Sequence, residues 1–283
     1  MEQEHFRNTE ILTDFDTVLH AFIDFGAIAE GTAIPPELKY IHNAEGLGKK
    51  IVRHSVSARV LANGYIFTRF EEIIDFSSIA VLVRSAFETY LTFHYLFIDP
   101  IPEAERECRI TAWYIGGLDR TKFAPAYEAH KEKYEQEVQQ KETHKKELKE
   151  NSYFQTLVIK VQKKILKGKW LVKQWHEMAT SAGFSESYFR QQYMFLSSYA
   201  HSNRLSSIQI QQLKSLHSQQ NMAGAFIAIL TPVLAKYAYD YAHLIPELNG
   251  KIDWTTPSNR MVLMYKDIAE RISSESVSNT HVS

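Results

Sequence analysis

In the most apolar stretch of the chain, from Phe76 to Ile98, an arginine and a glutamate stand four residues apart, at Arg84 and Glu88. On a helix, 100° per residue places them about 40° apart and one turn apart along the axis, close enough to bridge each other. A helix that is apolar on nearly every side is buried, and a buried ion pair needs further hydrogen bonds or a chemical purpose. A second helix must therefore bring polar groups to meet this pair.

The segment from Ser185 to His201 is the natural source. Arg190, Met194, Ser197 and His201 recur at i, i+4, i+7 and i+11 and share one face, while Phe189, Tyr193, Leu196 and Ala200 form an adjacent apolar face. Arg190 and His201 are roughly 16 Å apart along the axis and cannot meet within one helix. His201 with Ser197, Ser198, Asn203 and Arg204 is the tighter cluster. A histidine titrates near neutrality and can act as general acid or base, and a nearby arginine can hold a phosphate or carboxylate by two bonds. The same residues also fit a purely structural role, in which His201 and Ser197 only satisfy Arg84 and Glu88.

Other chemistries find no support. Asp240 and His243 share a helix face and could be set beside His20 and Asp24, but a carboxylate-bridged metal bundle wants paired Glu-x-x-His motifs, and the sequence has none. Gly46-Leu47-Gly48-Lys49-Lys50 lacks the first glycine and the hydroxyl residue of a phosphate loop. No nucleophile elbow, Cys-x-x-Cys or zinc spacing occurs. Neither a metal nor a cofactor is expected.

The elements that must carry these residues are helical. Proline and glycine are sparse, and long segments repeat their apolar residues at three and four with almost no strand-like alternation, which predicts an all-α multi-helix bundle. Asn8 or Thr9 is expected to cap a first helix ending near Gly31, Pro35-Pro36 breaks the chain, and a second helix from about Glu37 to Ala62 carries a basic surface of His42, Lys49, Lys50, Arg53, His54 and Arg59. A long buried central helix follows Gly64 and ends at Asp99-Pro100. From Tyr127 to Glu150 dense lysine and glutamate leave only a thin apolar seam, predicting a solvated charged arm, with a partner-binding coiled coil as the alternative. Pro232 is expected to kink the last strongly apolar helix, and Ser273 to Ser283 reads as a disordered tail. The expected divisions are 1–63, an N-terminal helical segment; 64–250, a core domain including the charged arm 124–150; and 251–283, a last helix and tail.

With 283 residues the chain can bury a sizeable core unaided, and 32 Lys and Arg against 33 Asp and Glu create no global field toward nucleic acid or an anionic membrane. The one cysteine, Cys108, excludes an internal disulfide and reads as inert. The polar start is unlike a signal peptide, and charges or proline interrupt both near-transmembrane stretches, so a cytoplasmic protein without a membrane partner is expected.

The segments Arg84-Ser85-Ala86-Phe87-Glu88-Thr89-Tyr90 and Tyr193-Met194-Phe195-Leu196-Ser197-Ser198-Tyr199-Ala200-His201-Ser202 resemble a bacterial helical family, domain-of-unknown-function family 5677, which pairs an R-S-x-x-E helix with a later L-S-x-x-x-H segment. The likeness spans about Tyr65 to Ile245. That family is similar in layout to the HEPN superfamily of nucleotide-binding helical bundles, many of which cut RNA without metal in toxin and phage-defence systems, using an arginine a short gap before a histidine. This chain departs from that pattern, since no arginine precedes any histidine at the R-x(4–6)-H distance. The resemblance then requires Arg84, Arg190 or Arg204 to reach His201 through space or across a dimer interface.

Two readings follow. In the first, the protein is a metal-independent ribonuclease or nucleotide-binding protein, with His201, Arg84, Glu88 and Ser197 in the catalytic cluster and Arg190, Asn203 and Arg204 on the substrate. In the second, it is a non-catalytic interaction protein, the cluster is structural, and residues 127–150 capture a protein partner. The sequence leaves a homo-oligomer open. Solvent access to His201 separates the two readings.

Overall fold

The computed structural model describes residues 2–32, 34, 40–68, 71–118, 128–201 and 203–278. Among them are thirteen α-helices and one two-stranded hairpin, so the protein is an all-α multi-helix bundle. By packing, the described chain falls into two compact units, one formed by 1–98 with 175–283 and the other by 99–174. The expected breaks near 63 and 250 lie inside the first unit.

In the first unit, α1 (Glu2–Ala29) begins ahead of the expected caps Asn8 and Thr9, and buries Phe15, Val18, Leu19, Phe22 and Phe25 at spacings of three and four. Pro35-Pro36 lies outside the described residues. Helix α2 (Ile41–Ala62) buries a small-residue row that includes Ala44, Gly48, Ser55 and Ala58, and packs closely along α3 (Phe76–Phe93). Between them Gly64, at φ +76°, turns the chain into a short antiparallel hairpin, β1 (Tyr65–Thr68) and β2 (Glu71–Ile73), which the helical periodicity does not predict. Asp75 caps α3 by accepting from the Ser78 amide at 2.9 Å, and α3 passes into a π-helical turn, His94–Ile98, buried through Phe97.

After α8 (Trp175–Ser181), Gly183 at φ +82° and the cap Ser185 start α9 (Glu186–Ala200). Asn203 caps α10 (Arg204–Gln212), accepting from the amides of Leu205 and Ser206. Helix α11 (Leu216–Leu244) runs through Pro232 as one element and packs on α1, α2 and α3. It is long and apolar enough to cross a membrane, yet 72% of its most apolar window is buried inside the fold. Its Tyr237 centres the core, stacked on Phe93 with ring centroids 4.2 Å apart and donating its hydroxyl hydrogen to the Ala44 carbonyl at 3.0 Å. The short α12 (Pro246–Lys251) leads to α13 (Pro257–Ser278), which continues through most of the stretch expected to be disordered; residues 279–283 lie outside the described residues.

The second unit comprises α4 (Glu103–Gly117), a 3-10 turn, α5 (Lys131–Glu150), α6 (Ser152–Thr156) and α7 (Ile159–Leu166). Its core joins Cys108, Ala112 and Ile115 to Leu148, Phe154 and Ile165. The charged helix is therefore not a free arm. One edge of α5 packs on α4, with Leu148 buried and the Lys141 amine donating to the Leu118 carbonyl at 3.3 Å, while the rest of its charge faces solvent. The start of the expected arm, including Tyr127, lies outside the described residues. Arg109, the chain neighbour of Cys108, is buried between Asp99 and Glu105, at 2.6 Å from each.

Candidate functional site

Helix α3 is not buried on every side. Ser77, Val81, Arg84, Ser85 and Glu88, spaced by three and four, form one accessible strip, and the residues after Glu88 are buried as far as Phe97. The Arg84 and Glu88 side chains keep 18% and 29% of their exposure, so the pair stands at the rim of the core rather than in its dry middle. This corrects the expectation of a buried pair, and the strip explains it: two serines and a valine beside the charges leave that face incompletely covered.

Helix α9 lies against α3 and meets the strip. Each Arg84 nitrogen has a separate partner. Nε donates to Glu88 Oε1 at 3.1 Å, Nη2 donates to the Tyr193 hydroxyl at 3.0 Å, and Nη1 lies 3.0 Å from His201 Nε2. The guanidinium can only donate, so Nε2 accepts, and in this geometry the neutral imidazole carries its hydrogen on Nδ1. Tyr193 closes the ring of contacts by donating to Glu88 Oε1 at 2.7 Å, and its own ring lies 4.9 Å from the Arg84 guanidinium carbon. His201, the residue that ends α9, is exposed.

The charges tune one another. Burial, the hydrogen bond to Glu88 and the Glu88 charge push the Tyr193 phenol up to about 12. Burial alone would lower the Arg84 guanidinium, but the Tyr193 hydrogen bond and the Glu88 carboxylate outweigh it and raise it above its ordinary value. Arg84 is thus a fixed cation beside a hydroxyl that stays protonated. On the other flank of α3, Ser85 Oγ lies 3.1 Å from His54 Nε2 on α2. Burial, then the Lys50 charge, hold His54 below its ordinary pKa.

The structure thus joins Arg84, Glu88 and His201, three residues singled out in sequence. It leaves the other four outside. The Ser197 hydroxyl is buried with no hydrogen-bond partner among the described residues and does not reach the cluster. Arg190 is exposed and turns back to Glu186 at 2.7 Å. Asn203 spends its side-chain oxygen capping α10, and Arg204, three residues beyond His201, is exposed with no partner among the described residues. Tyr193 was missed as a site residue because its ring belongs to the apolar face, stacked on Phe189 with centroids 5.1 Å apart. The signal was its hydroxyl, which a buried tyrosine must satisfy. His54 had no signal beyond a basic surface.

Among the described residues, no three His, Cys, Asp or Glu side chains come together as metal ligands. Asp240 instead accepts from the Tyr90 hydroxyl at 2.8 Å, and His243 Nδ1 lies 2.8 Å from the carbonyl of Tyr239. Chemically, the cluster offers a guanidinium held in place from two sides and an accessible imidazole in hydrogen-bond contact with it. Comparison with known proteins gives no match, neither to a family model, nor to a curated protein, nor to a solved structure.

Proposed function

We propose that the Arg84–His201 pair is a metal-independent phosphodiester site acting on RNA or a nucleotide, in keeping with the HEPN-like resemblance of the two segments that carry it. The observation behind the proposal is the 3.0 Å approach of Arg84 Nη1 to Nε2 of an exposed histidine, 117 residues away in sequence. It supplies through space the arginine that the chain lacks in tandem. In this reading the substrate phosphate draws Arg84 Nη1 off His201, the freed Nε2 takes the proton from a ribose 2′-hydroxyl as that oxygen attacks the adjacent phosphorus, and the imidazolium so formed gives it to the departing 5′-oxygen. Arg84 neutralises charge developing on the phosphoryl oxygens, and Glu88 and Tyr193 hold Arg84 still. Arg204 is near enough in sequence to add a second phosphate contact. A role in a bacterial toxin or phage-defence system, in the cytoplasm, belongs to the same proposal.

A second reading has its own support. All three Arg84 nitrogens already have protein partners, which is also how a structural lock between α3 and α9 would be built. In that case function would reside in surfaces such as the solvent-facing side of α5. Incubating the purified chain with mixed RNA and sizing the products decides between them. Cleavage that disappears in His201→Ala and Arg84→Ala, with the melting temperature of His201→Ala unchanged, supports the phosphodiester site. No cleavage by the wild type, with His201→Ala melting several degrees lower, supports the lock.

A further inference from the structure

A cavity of about 600 Å³ opens away from the Arg84 cluster, between the C-terminal end of α1, the first half of α2 and the end of α11. That volume falls in the range that holds a small organic molecule. Its walls are aliphatic and aromatic, including Phe22, Ile23, Ile41, Val52 and Ile245, with the nearly buried Tyr241 among them. The charged groups that line it are Glu30 on the α1 side and His42, Glu45, Lys49 and Arg53 on α2. Lys49 is neutralised by Glu45 at 2.5 Å, whereas Arg53 and His42 are exposed and have no partner among the described residues. Glu30 also has none but stands on the α1 side; on the α2 side Lys49 and Glu45 cancel, and the Arg53 guanidinium is the charge left uncancelled.

Two helix-interior glycines, Gly26 on α1 and Gly48 on α2, line this cavity. Glycine inside a helix is unfavourable relative to alanine and calls for a reason. Packing does not supply one at either position. A Cβ on Gly26 would meet nothing within 4 Å, and one on Gly48 would make only ordinary contacts, 3.6 Å to the Tyr237 hydroxyl and 3.7 Å to the Phe22 ring. Gly26 leaves open a space that a larger side chain would fill.

We infer that this cavity binds an anionic amphiphile, an aliphatic chain lying along the Gly26 and Gly48 walls with its carboxylate held at the α2 edge by Arg53. A flexible chain suits a mainly aliphatic and aromatic lining, where burial of apolar surface supplies the affinity. A guanidinium suits a carboxylate head because it can donate two parallel hydrogen bonds. His42 adds a second donor at the same edge.

Calorimetric titration of the full-length chain with decanoate, below its micellar concentration, tests this. The wild type is expected to bind saturably at one site, at least tenfold more tightly than decyltrimethylammonium, which has the same tail and the opposite charge. Gly26→Leu and Val52→Trp grow side chains into the cavity from α1 and α2, and each should weaken decanoate binding at least tenfold with the melting temperature retained. If one of them does not fold, the other carries the test. Arg53→Glu should abolish the preference for decanoate over the cation. Absence of saturable decanoate binding, undiminished binding by a folded cavity-filling variant, equal or tighter binding of decyltrimethylammonium by the wild type, or an unchanged preference in Arg53→Glu would each overturn the proposal.

Discussion

The Tyr193 hydroxyl donates to Glu88 at 2.7 Å and accepts from Arg84 at 3.0 Å, so one phenol oxygen joins both members of the α3 ion pair to α9. Tyr193→Phe would keep the stacking on Phe189 and the cation–π contact with Arg84 while removing both bonds. The expected cost is about 1 kcal/mol, because each bond exchanges with water at a partly exposed site. In thermal unfolding this is a fall of roughly 2–4 °C in Tm. Combined with Glu88→Ala in a double-mutant cycle, the two losses should be less than additive, since both variants break the same bond. Full additivity would mean that the hydroxyl does not link the helices.

Arg84→Lys separates position from charge. An ammonium keeps the cation but cannot meet Glu88, Tyr193 and His201 with a planar fork, so the three contacts of Arg84 cannot all survive. RNA cleavage, if the chain performs it, should fall at least tenfold in kcat/KM, with most of the stability of the α3–α9 contact retained. A lysine variant as active as the wild type would show that the fork geometry is not used.

Much of this arrangement is legible in the sequence because it is local. The i, i+4 spacing of Arg84 and Glu88 and the start of α9 at Ser185 depend only on neighbouring residues, and each forms as expected. The partial exposure of the pair was not legible, because apolar periodicity identifies the faces that pack but not whether a neighbouring helix covers the remaining strip. Arg190 was assigned to the site by its helical angle to His201, yet Glu186, one turn before it, offers a nearer partner. The compactness of 99–174 was hidden for a related reason. Its core takes one leucine, Leu148, from a helix otherwise dense in charge, and closes only when α4, α6 and α7 come together.

Cys108 should be inert in the folded chain. It is 3% exposed, and burial, then the nearby Glu105 charge, push its thiol up to about 11. Near pH 8 the reactive thiolate would be about one part in a thousand of the side chain. Iodoacetamide should leave the native protein unlabelled over a time that labels the denatured chain completely, as mass spectrometry would read. Rapid native labelling would show that the core around Cys108 opens.

Lys236 is 6% exposed in its side chain and has Glu270 at 3.1 Å, which also accepts from Lys266 at 2.9 Å. Burial alone would raise the Glu270 carboxyl, but the hydrogen bonds from Lys266 and Lys236 outweigh it and hold it below its ordinary value. Its contribution to stability is therefore present above the unfolded-state value near 4.5 and is lost as pH falls through the lower folded-state value. Glu270→Gln should destabilise the protein by about 1 kcal/mol near neutrality, by leaving a buried ammonium short of a counter-charge, the half-exposed Glu270 being partly screened by solvent. The loss should shrink in acid, as urea unfolding at pH 7 and near pH 3 would measure. A loss of the same size at both values would contradict the assignment.

Asp240 has the opposite sign. Burial raises its carboxyl above the ordinary value near 3.8, against the pull of Lys236, the Tyr90 hydrogen bond and His94. The folded state then holds this proton more tightly than the unfolded state, so the Asp240 contribution to stability falls as pH rises from about 3.8 through the raised value and is level beyond it. Asn resembles the protonated acid in shape and charge and keeps an oxygen to accept from Tyr90. Asp240→Asn should therefore leave Tm near pH 7 unchanged or a degree or two higher, and should remove this residue's share of the decline between about pH 4 and pH 7. Should the variant instead melt several degrees lower at neutral pH, the attraction of Lys236 for the Asp240 carboxylate would outweigh the cost of burying that charge, and the carboxyl would sit below its ordinary value rather than above it.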